Sequence, residues 1–154
     1  MSKITLVTAA IREKLLELFP DSKKYTRIPN PYSLPDNNKN FLKKGFGLMV
    51  GGANYEEFEW CNFKVARTFS VVFTREIHRL DSSTVQIDKA TDELLENVVA
   101  VQELFYSYSE LGIEAAIAKV DIGSVSGVET FLSDKQNFMS MTVDFEFHIL
   151  ERIN

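Results

Sequence analysis

The chain has 154 residues, a formal net charge of −5 and hydrophobic residues at 45% of its positions. This length fits one domain, spanning residues 1–154, with an ordinary hydrophobic core. The acidic charge disfavours nonspecific binding to the phosphates of DNA or RNA. The single cysteine, Cys61, excludes an intramolecular disulfide and makes a zinc site implausible.

The first 19 residues do not read as a targeting segment. Charged side chains at Arg12, Glu13, Lys14 and Glu17 interrupt their apolar pattern, and this excludes the apolar core of a secretory signal peptide. No apolar run approaches the roughly 20 residues that a membrane-spanning helix needs. We therefore expect a protein that folds in a reducing cytosol, without a membrane partner.

The first predicted element is an amphipathic helix over Lys3–Leu18, capped by Ser2 and ended by Pro20. Apolar residues at three- and four-residue steps form its predicted buried stripe: Ile4, Val7, Ile11, Leu15 and Leu18. A long irregular segment follows, over about 20–45, because Pro29, Pro31 and Pro35 break regular structure. Its apolar side chains pack either on their own domain or on a partner, and the sequence leaves both alternatives open.

Strands are predicted next. A short strand over Phe46–Val50 lies among glycines that we interpret as turns. A long strand over Phe58–Ile77 alternates apolar and polar residues, which predicts one buried face. That face holds Cys61, Phe63, Val65, Phe69, Val71 and Phe73. Arg67 interrupts it, so the strand either bends or bulges there, or half of it leaves the core.

A second helix is predicted from a capped turn at Asp81–Thr84 to about Tyr108. Its predicted buried stripe contains Ile87, Leu94, Val98, Val101, Phe105 and Tyr108, widened by Leu95. A third strand follows over Ile113–Ile122, and pairing resumes over Val128–Phe131. The last strand, Phe138–Ile153, shows the clearest alternation, with Met139, Met141, Val143, Phe145, Phe147 and Ile149 on one face.

The element order α-β-β-α-β-β predicts an α+β fold with two layers. A mostly antiparallel or mixed sheet of about four strands would pack against two helices on one face. The polar face of the sheet would look outward.

No arrangement of residues names a reaction. His78 and His148 are the two histidines, and neither lies in a recognisable nucleophile–base spacing. Asp144 and Glu146 share a strand face with His148, but outward sheet faces carry such residues routinely. We therefore expect no enzyme activity, and no catalytic, cofactor-binding or metal-binding residues.

The length of the alternating segments favours assembly with other proteins. Two segments alternate for about 16 residues, which spans on the order of 50 Å, whereas a domain of this size has a radius of gyration of about 15 Å. Ribbons that project would need neighbours to cover their apolar faces. We expect partner contacts at aromatic residues and at the arginine that interrupts the apolar face: Tyr25, Tyr32, Phe41, Phe46, Trp60, Arg67 and Phe131.

The whole-chain layout resembles the tail-terminator proteins of long-tailed phages. The resembling features are a short amphipathic helix (Ile4–Leu18), an extended segment, a long alternating strand (Trp60–Phe73), one long helix (Ile87–Tyr108) and a closing strand (Met139–Phe147). The proline-bearing segment before the first long strand departs from the family pattern.

This resemblance implies a structural virion protein, made in the host cytoplasm and located at the head-proximal end of the tail. A homo-oligomeric ring, hexameric in such proteins, would cap the tail tube protein, stop its polymerisation and present a surface to the head–tail connector or neck protein. DNA would pass through the lumen without specific binding. The alternatives are another phage morphogenesis protein (tube, neck or tail completion) and a small-molecule-binding or enzymatic α+β domain.

Overall fold

A computed structural model gives the structure of the protein and describes residues 2–20, 25–36, 43–59, 62–77, 84–106, 117–131 and 137–152. Two α-helices, α1 (Lys3–Leu18) and α2 (Thr84–Tyr106), and a 3₁₀ helix (Pro31–Asp36) accompany six strands. The strands are β1 (Thr26–Arg27), β2 (Lys44–Glu59), β3 (Asn62–Ile77), β4 (Ile117–Val125), β5 (Glu129–Phe131) and β6 (Asn137–Arg152).

The strands form one mixed sheet in the order β1-β2-β3-β6-β4, with β5 pairing β6 as well. β1 pairs β2 in parallel, and the other pairs are antiparallel. β3 and β6 pair over their whole length, from Asn62 opposite Arg152 to Ile77 opposite Asn137. These two long central strands are the platform on which the other elements lie.

One face of this platform is the hydrophobic core, and both helices pack on it. Alternate residues of β3 and β6 are buried there with the apolar stripes of α1 and α2. Aromatic rings fill much of the space: Phe105 of α2 lies edge-on against Phe145 and Phe147 at centroid distances of 4.6 and 5.5 Å. At the end of α1, Phe19 contacts Phe73 in the same edge-on geometry at 5.1 Å, an arrangement that aromatic pairs favour. We call this face the helix-covered face and the other the open face.

The segment around β1 covers part of the open face. Ile28 is 2% exposed, and a Cβ atom built on Gly47 would lie 2.6 Å from Cγ of Pro31. Any side chain at position 47 would therefore displace this segment from β2. Tyr32 is 67% exposed, although its hydroxyl donates to the carbonyl oxygen of Val50 at 2.7 Å. Of the described apolar side chains of this segment, Ile28 packs on its own domain and the ring of Tyr32 stays exposed, so both predicted alternatives stay open.

The α+β class is confirmed, while the strand number and the order differ from the prediction. β2 runs from Lys44 to Glu59, because Gly51 and Gly52 form a bulge within a continuous strand and not a turn. Two residues lie opposite Thr68 there, between the pairs Val50–Phe69 and Ala53–Arg67. The predicted strand over Phe58–Ile77 is instead the end of β2 and the whole of β3.

Most of the predicted buried residues are confirmed. Val7, Ile11 and Leu15 of α1 are buried, as are Leu94, Val98, Val101 and Phe105 of α2 and the alternate residues Met139–Ile149 of β6. Ser2 caps α1, since its hydroxyl accepts from the amide of Thr5 at 3.3 Å. Leu18 and Leu95 are 39% and 44% exposed, so their assignment to the buried stripes was wrong. Four other predictions lie outside the part of the chain that the structure describes: Cys61, His78, Tyr108 and the turn over 133–135. The backbone of Phe63 is described but its side chain is not.

The prediction that a single copy leaves the ribbon faces uncovered is wrong over most of their length. Val65, Phe69, Val71, Phe73 and Ile77 are each at most 4% exposed, because α1 and α2 lie across them. Tyr55, on the same side of β2 through its pairing with Val65, is 67% exposed. An argument for assembly must therefore rest on other surfaces.

Candidate functional site

The outward side of α2 carries an apolar stripe that the rest of the described chain does not cover. Leu95, Val99 and Tyr106 are 44%, 45% and 82% exposed. Their spacings of four and seven residues place them on one side of the helix. The buried residues Leu94, Val98, Val101 and Phe105 occupy the adjoining, inward side, about a quarter of the way around the helix. We call this exposed stripe, with its acidic neighbours, the α2 outer face.

Acidic residues border this stripe. Asp88, Asp92, Glu96 and Glu103 are exposed and follow one another at spacings of four and seven residues, beside the apolar positions. Apolar side chains bordered by charges of one sign are typical of a protein-interaction surface. The four-residue step from Leu95 to Val99 indicates this exposed stripe in the sequence, although Leu95 was included in the predicted buried stripe.

Two exposed arginines lie towards the other end of the sheet. Arg12 of α1 and Arg27 of β1 are exposed and line a small depression with Leu16 and Leu48, and Glu13 and Glu17 of α1 are exposed as well. β1 is at one end of the strand order, whereas α2 packs on β3, β6 and β4 towards the other end. The acidic border of the α2 outer face and this arginine pair thus lie on different parts of one chain.

The candidate partner residues in and beside the irregular segment have different surroundings. Phe46 is 3% exposed, so its own chain covers its ring. Tyr25 is half-buried, with its ring between the Lys44 ammonium at 5.0 Å and the Arg75 guanidinium at 5.6 Å. The exposed ring of Tyr32 remains available to a partner. Phe41 lies outside the described residues.

The remaining candidates do not converge on one site. Arg67 is half-buried on the helix-covered face and donates from Nη1 to the carbonyl oxygen of Gly51 at 3.1 Å, which closes the bulge of β2. Phe131 of β5 stacks on Phe138 of β6 at a centroid distance of 4.7 Å. Trp60 lies outside the described residues. Among the described residues, these candidates therefore form no shared surface.

A cleft of about 570 Å³ lies between α2 and the beginning of β2. Arg75 lies in it, with its side chain 5% exposed and its Nε 3.1 Å from Glu93 Oε2. Burial lowers the pKa of Arg75, and the hydrogen bond and charge of Glu93 oppose that shift. Asn97 also lines the cleft, is 5% exposed, and its Nδ2 has no hydrogen-bond partner among the described atoms.

This cleft is built around an internal ion pair. Arg75 also donates from Nη1 to the carbonyl oxygen of Thr74 at 2.8 Å, so much of its donor capacity is used within the chain. Such ion pairs perturb pKa values without any catalytic role. By itself, the cleft does not indicate a particular ligand.

A polar cluster lies on the open face of the sheet. His148 Nε2 is 2.9 Å from Asp121 Oδ2 and 3.0 Å from Glu146 Oε1. Glu146 and His148 share a strand face in the sequence pattern, but Asp121 comes from β4 and reaches them through strand pairing. No spacing along the chain could have identified Asp121.

No family model matches the chain, and no curated protein is significantly similar to it in sequence. Neither of the two described helices combines the length and the apolar character that crossing a bilayer requires.

Proposed function

We propose that the protein is a structural subunit of a phage tail, a tail terminator whose copies form a ring. The ring would cap the tail tube, stop its polymerisation and present a surface to the head–tail connector. The whole-chain resemblance to that family motivates the proposal, and the α2 outer face is the observation that carries it. Leu95, Val99 and Tyr106 remain exposed in the single chain, so a partner that covers them would remove apolar surface from water.

The partner we propose for the α2 outer face is a second copy of this chain. Its acidic border, Asp88 and Asp92 among others, complements the arginine pair Arg12 and Arg27. The two surfaces are different, so a contact between them is head-to-tail. Repeated head-to-tail contacts close into a ring when the rotation between copies divides a full turn.

The net charge of −5 is compatible with a ring through which DNA passes. An acidic wall repels phosphates and does not hold the passing duplex. This supports the proposal only mildly, because acidic proteins are common.

The test begins with the mass of the particle. Mass photometry or light scattering of the full chain should give a species of about 100 kDa, six times the 17.6 kDa of one chain. The pair of changes Leu95→Asp and Val99→Asp should dissociate it, because charges would then face the apolar contact. Val125→Asp is the matched control, since Val125 is a 39% exposed apolar residue elsewhere, on β4.

Charge reversal tests the head-to-tail contact itself. Arg12→Glu with Arg27→Glu should weaken the ring, because acidic surfaces would then meet. Adding Asp88→Lys and Asp92→Lys to the same chain should restore it. Failure of the second pair to restore assembly would refute the proposed contact, and a monomer at every concentration would refute the ring.

Capping is tested separately from ring formation. Tubes polymerised from the tail tube protein encoded beside this chain should stop growing when the ring is added. A ring that leaves tube growth unchanged would favour another morphogenesis role, in the neck or in tail completion. A small-molecule function would become the better hypothesis if the chain stayed monomeric, and the cleft with the Asn97 amide would then be its location.

A further inference from the structure

The polar cluster on the open face has the composition of a metal site. It contains one imidazole and two carboxylates, from Asp121, Glu146 and His148, and their candidate ligand atoms all lie within 4.8 Å of one another. His148 is 8% exposed, so the sheet holds its ring in place. The side chains of Asp121 and Glu146 are 43% and 38% exposed, which leaves the cluster open to ions from solvent.

The strand register places the two carboxylates as direct neighbours. Asp121 of β4 pairs with Glu146 of β6, and like charges directly opposite each other in a sheet are destabilising. β4 is irregular on both sides of this pair, with register shifts between Ile117 and Lys119 and between Ile122 and Val125. Such irregularities re-aim side chains and are frequent beside functional sites.

The imidazole does not balance the two carboxylates by itself. Its Nε2 carries either one proton or one lone pair, yet it lies 2.9 and 3.0 Å from two carboxylate oxygens. One N–H cannot point straight at both oxygens, and a lone pair would repel both. Within this cluster two carboxylates share a single imidazole, so a bound cation would add an attraction to both carboxylates.

The distances also suit a shared metal ion. Ligand atoms bonded to Zn²⁺ at about 2.0–2.2 Å lie about 2.8–3.6 Å apart when their bonds are 90–110° from each other. The distances of 2.9 and 3.0 Å from His148 Nε2 to the two carboxylates fall at the lower end of this range, and the ligand atoms of the two carboxylates lie within 4.8 Å of each other. Nitrogen and carboxylate ligands suit zinc and its neighbours among the transition metals better than Mg²⁺ or Ca²⁺.

We propose that Asp121, Glu146 and His148 bind one Zn²⁺ ion through Oδ2, Oε1 and Nε2, with water completing the coordination. The ion would join the edge strand β4 to the central strand β6. His148 Nδ1 is buried and has no hydrogen-bond partner among the described atoms. A metal-bound histidine usually donates from its second nitrogen, so we expect an affinity in the micromolar range and not tighter.

The experiment is titration calorimetry of the metal-free full chain with ZnCl₂ near neutral pH. We expect one ion per chain with a Kd on the order of 1–10 µM, and MgCl₂ should give no comparable binding. Asp121→Asn, Glu146→Gln and His148→Gln should each weaken Zn²⁺ binding about 10- to 100-fold. Absorption of Co²⁺ added in place of Zn²⁺ provides a second readout of the same site.

The matched control is Glu129→Gln, at an exposed carboxylate on β5, which should leave the Kd unchanged. Because His148 is buried, its variant could lose the fold; the half-exposed positions Asp121 and Glu146 keep the test decisive, with circular dichroism as the check. A Kd weaker than about 1 mM, or binding unaffected by Asp121→Asn, would overturn the proposal. The cluster would then be an imidazole hydrogen-bonded to carboxylates, without a metal.

Discussion

The two faces of β3 and β6 differ in how their side chains are stabilised, although the same two strands build both. On the helix-covered face, Phe69, Val71 and Phe73 are fully buried, as are Phe145 and Phe147. On the open face, adjacent positions carry Ser70, Thr142, Asp144 and Glu146. Burial by helices favours apolar residues on the first face, with Arg67 as an exception, whereas the open face relies on hydrogen bonds and on local covers.

The largest loss in the free energy of unfolding should follow from a substitution among the aromatic residues at the centre of the helix-covered face. Phe105→Ala removes a fully buried ring that contacts Phe145 and Phe147. We expect the free energy of unfolding to fall by about 3–5 kcal/mol, from lost apolar burial and the cavity left behind. Urea denaturation followed by circular dichroism measures this loss.

Tyr55→Ala is the control for that change. Tyr55 is also aromatic but 67% exposed, so its removal should change the free energy of unfolding by no more than about 0.5 kcal/mol. Equal losses for the two variants would mean that the helix-covered face does not dominate stability.

The helix-covered face was predictable from the sequence, whereas for the open face only its polar character was. A stripe such as Val7, Ile11 and Leu15 depends on helical periodicity alone, and the alternation of β6 depends on strand periodicity alone. Both signals lie within one element. The bulge at Gly51 was missed because it depends on Arg67, a residue of the neighbouring strand, which donates to the Gly51 carbonyl.

The candidate sites were less predictable for the same reason. The cluster of Asp121 with Glu146 and His148 exists through the register between β4 and β6, and periodicity carries no information on register between distant segments. The α2 outer face was half visible in the sequence. By its spacing, Leu95 could belong to the buried stripe or to the exposed one. The packing of α2 on the sheet decides between them.

A smaller effect should follow from disturbing the cover on the open face. Gly47→Ala places a methyl group where Pro31 now lies, at 2.6 Å from its Cγ, and 3.3 Å from Ile28 Cβ. Because the Ile28–Pro31 segment must move away from β2, we expect a loss of about 1–3 kcal/mol in the free energy of unfolding. Thermal and urea denaturation should agree on this loss.

Gly52→Ala is the matched control, since a Cβ atom at position 52 would meet no atom within 4 Å. Its effect should stay within about 0.5 kcal/mol. If Gly47→Ala were equally harmless, the segment around β1 would be a loose cover and not a packed one.

The smallest effect should come from a single hydrogen bond on the open face. Ser70 donates from its hydroxyl to Asp144 Oδ1, while Asp144 Oδ2 also accepts from Ser124 at 3.2 Å. Ser70→Ala therefore leaves the carboxylate with a second partner and with access to water, and we expect a loss of about 0.5–1 kcal/mol in the free energy of unfolding. The adjacent change Val71→Ala, on the helix-covered face, should cost about 1–3 kcal/mol because Val71 is fully buried. Urea denaturation of both variants measures the two losses. A larger loss for Ser70→Ala than for Val71→Ala would mean that the open face contributes more to stability here than the helix-covered face.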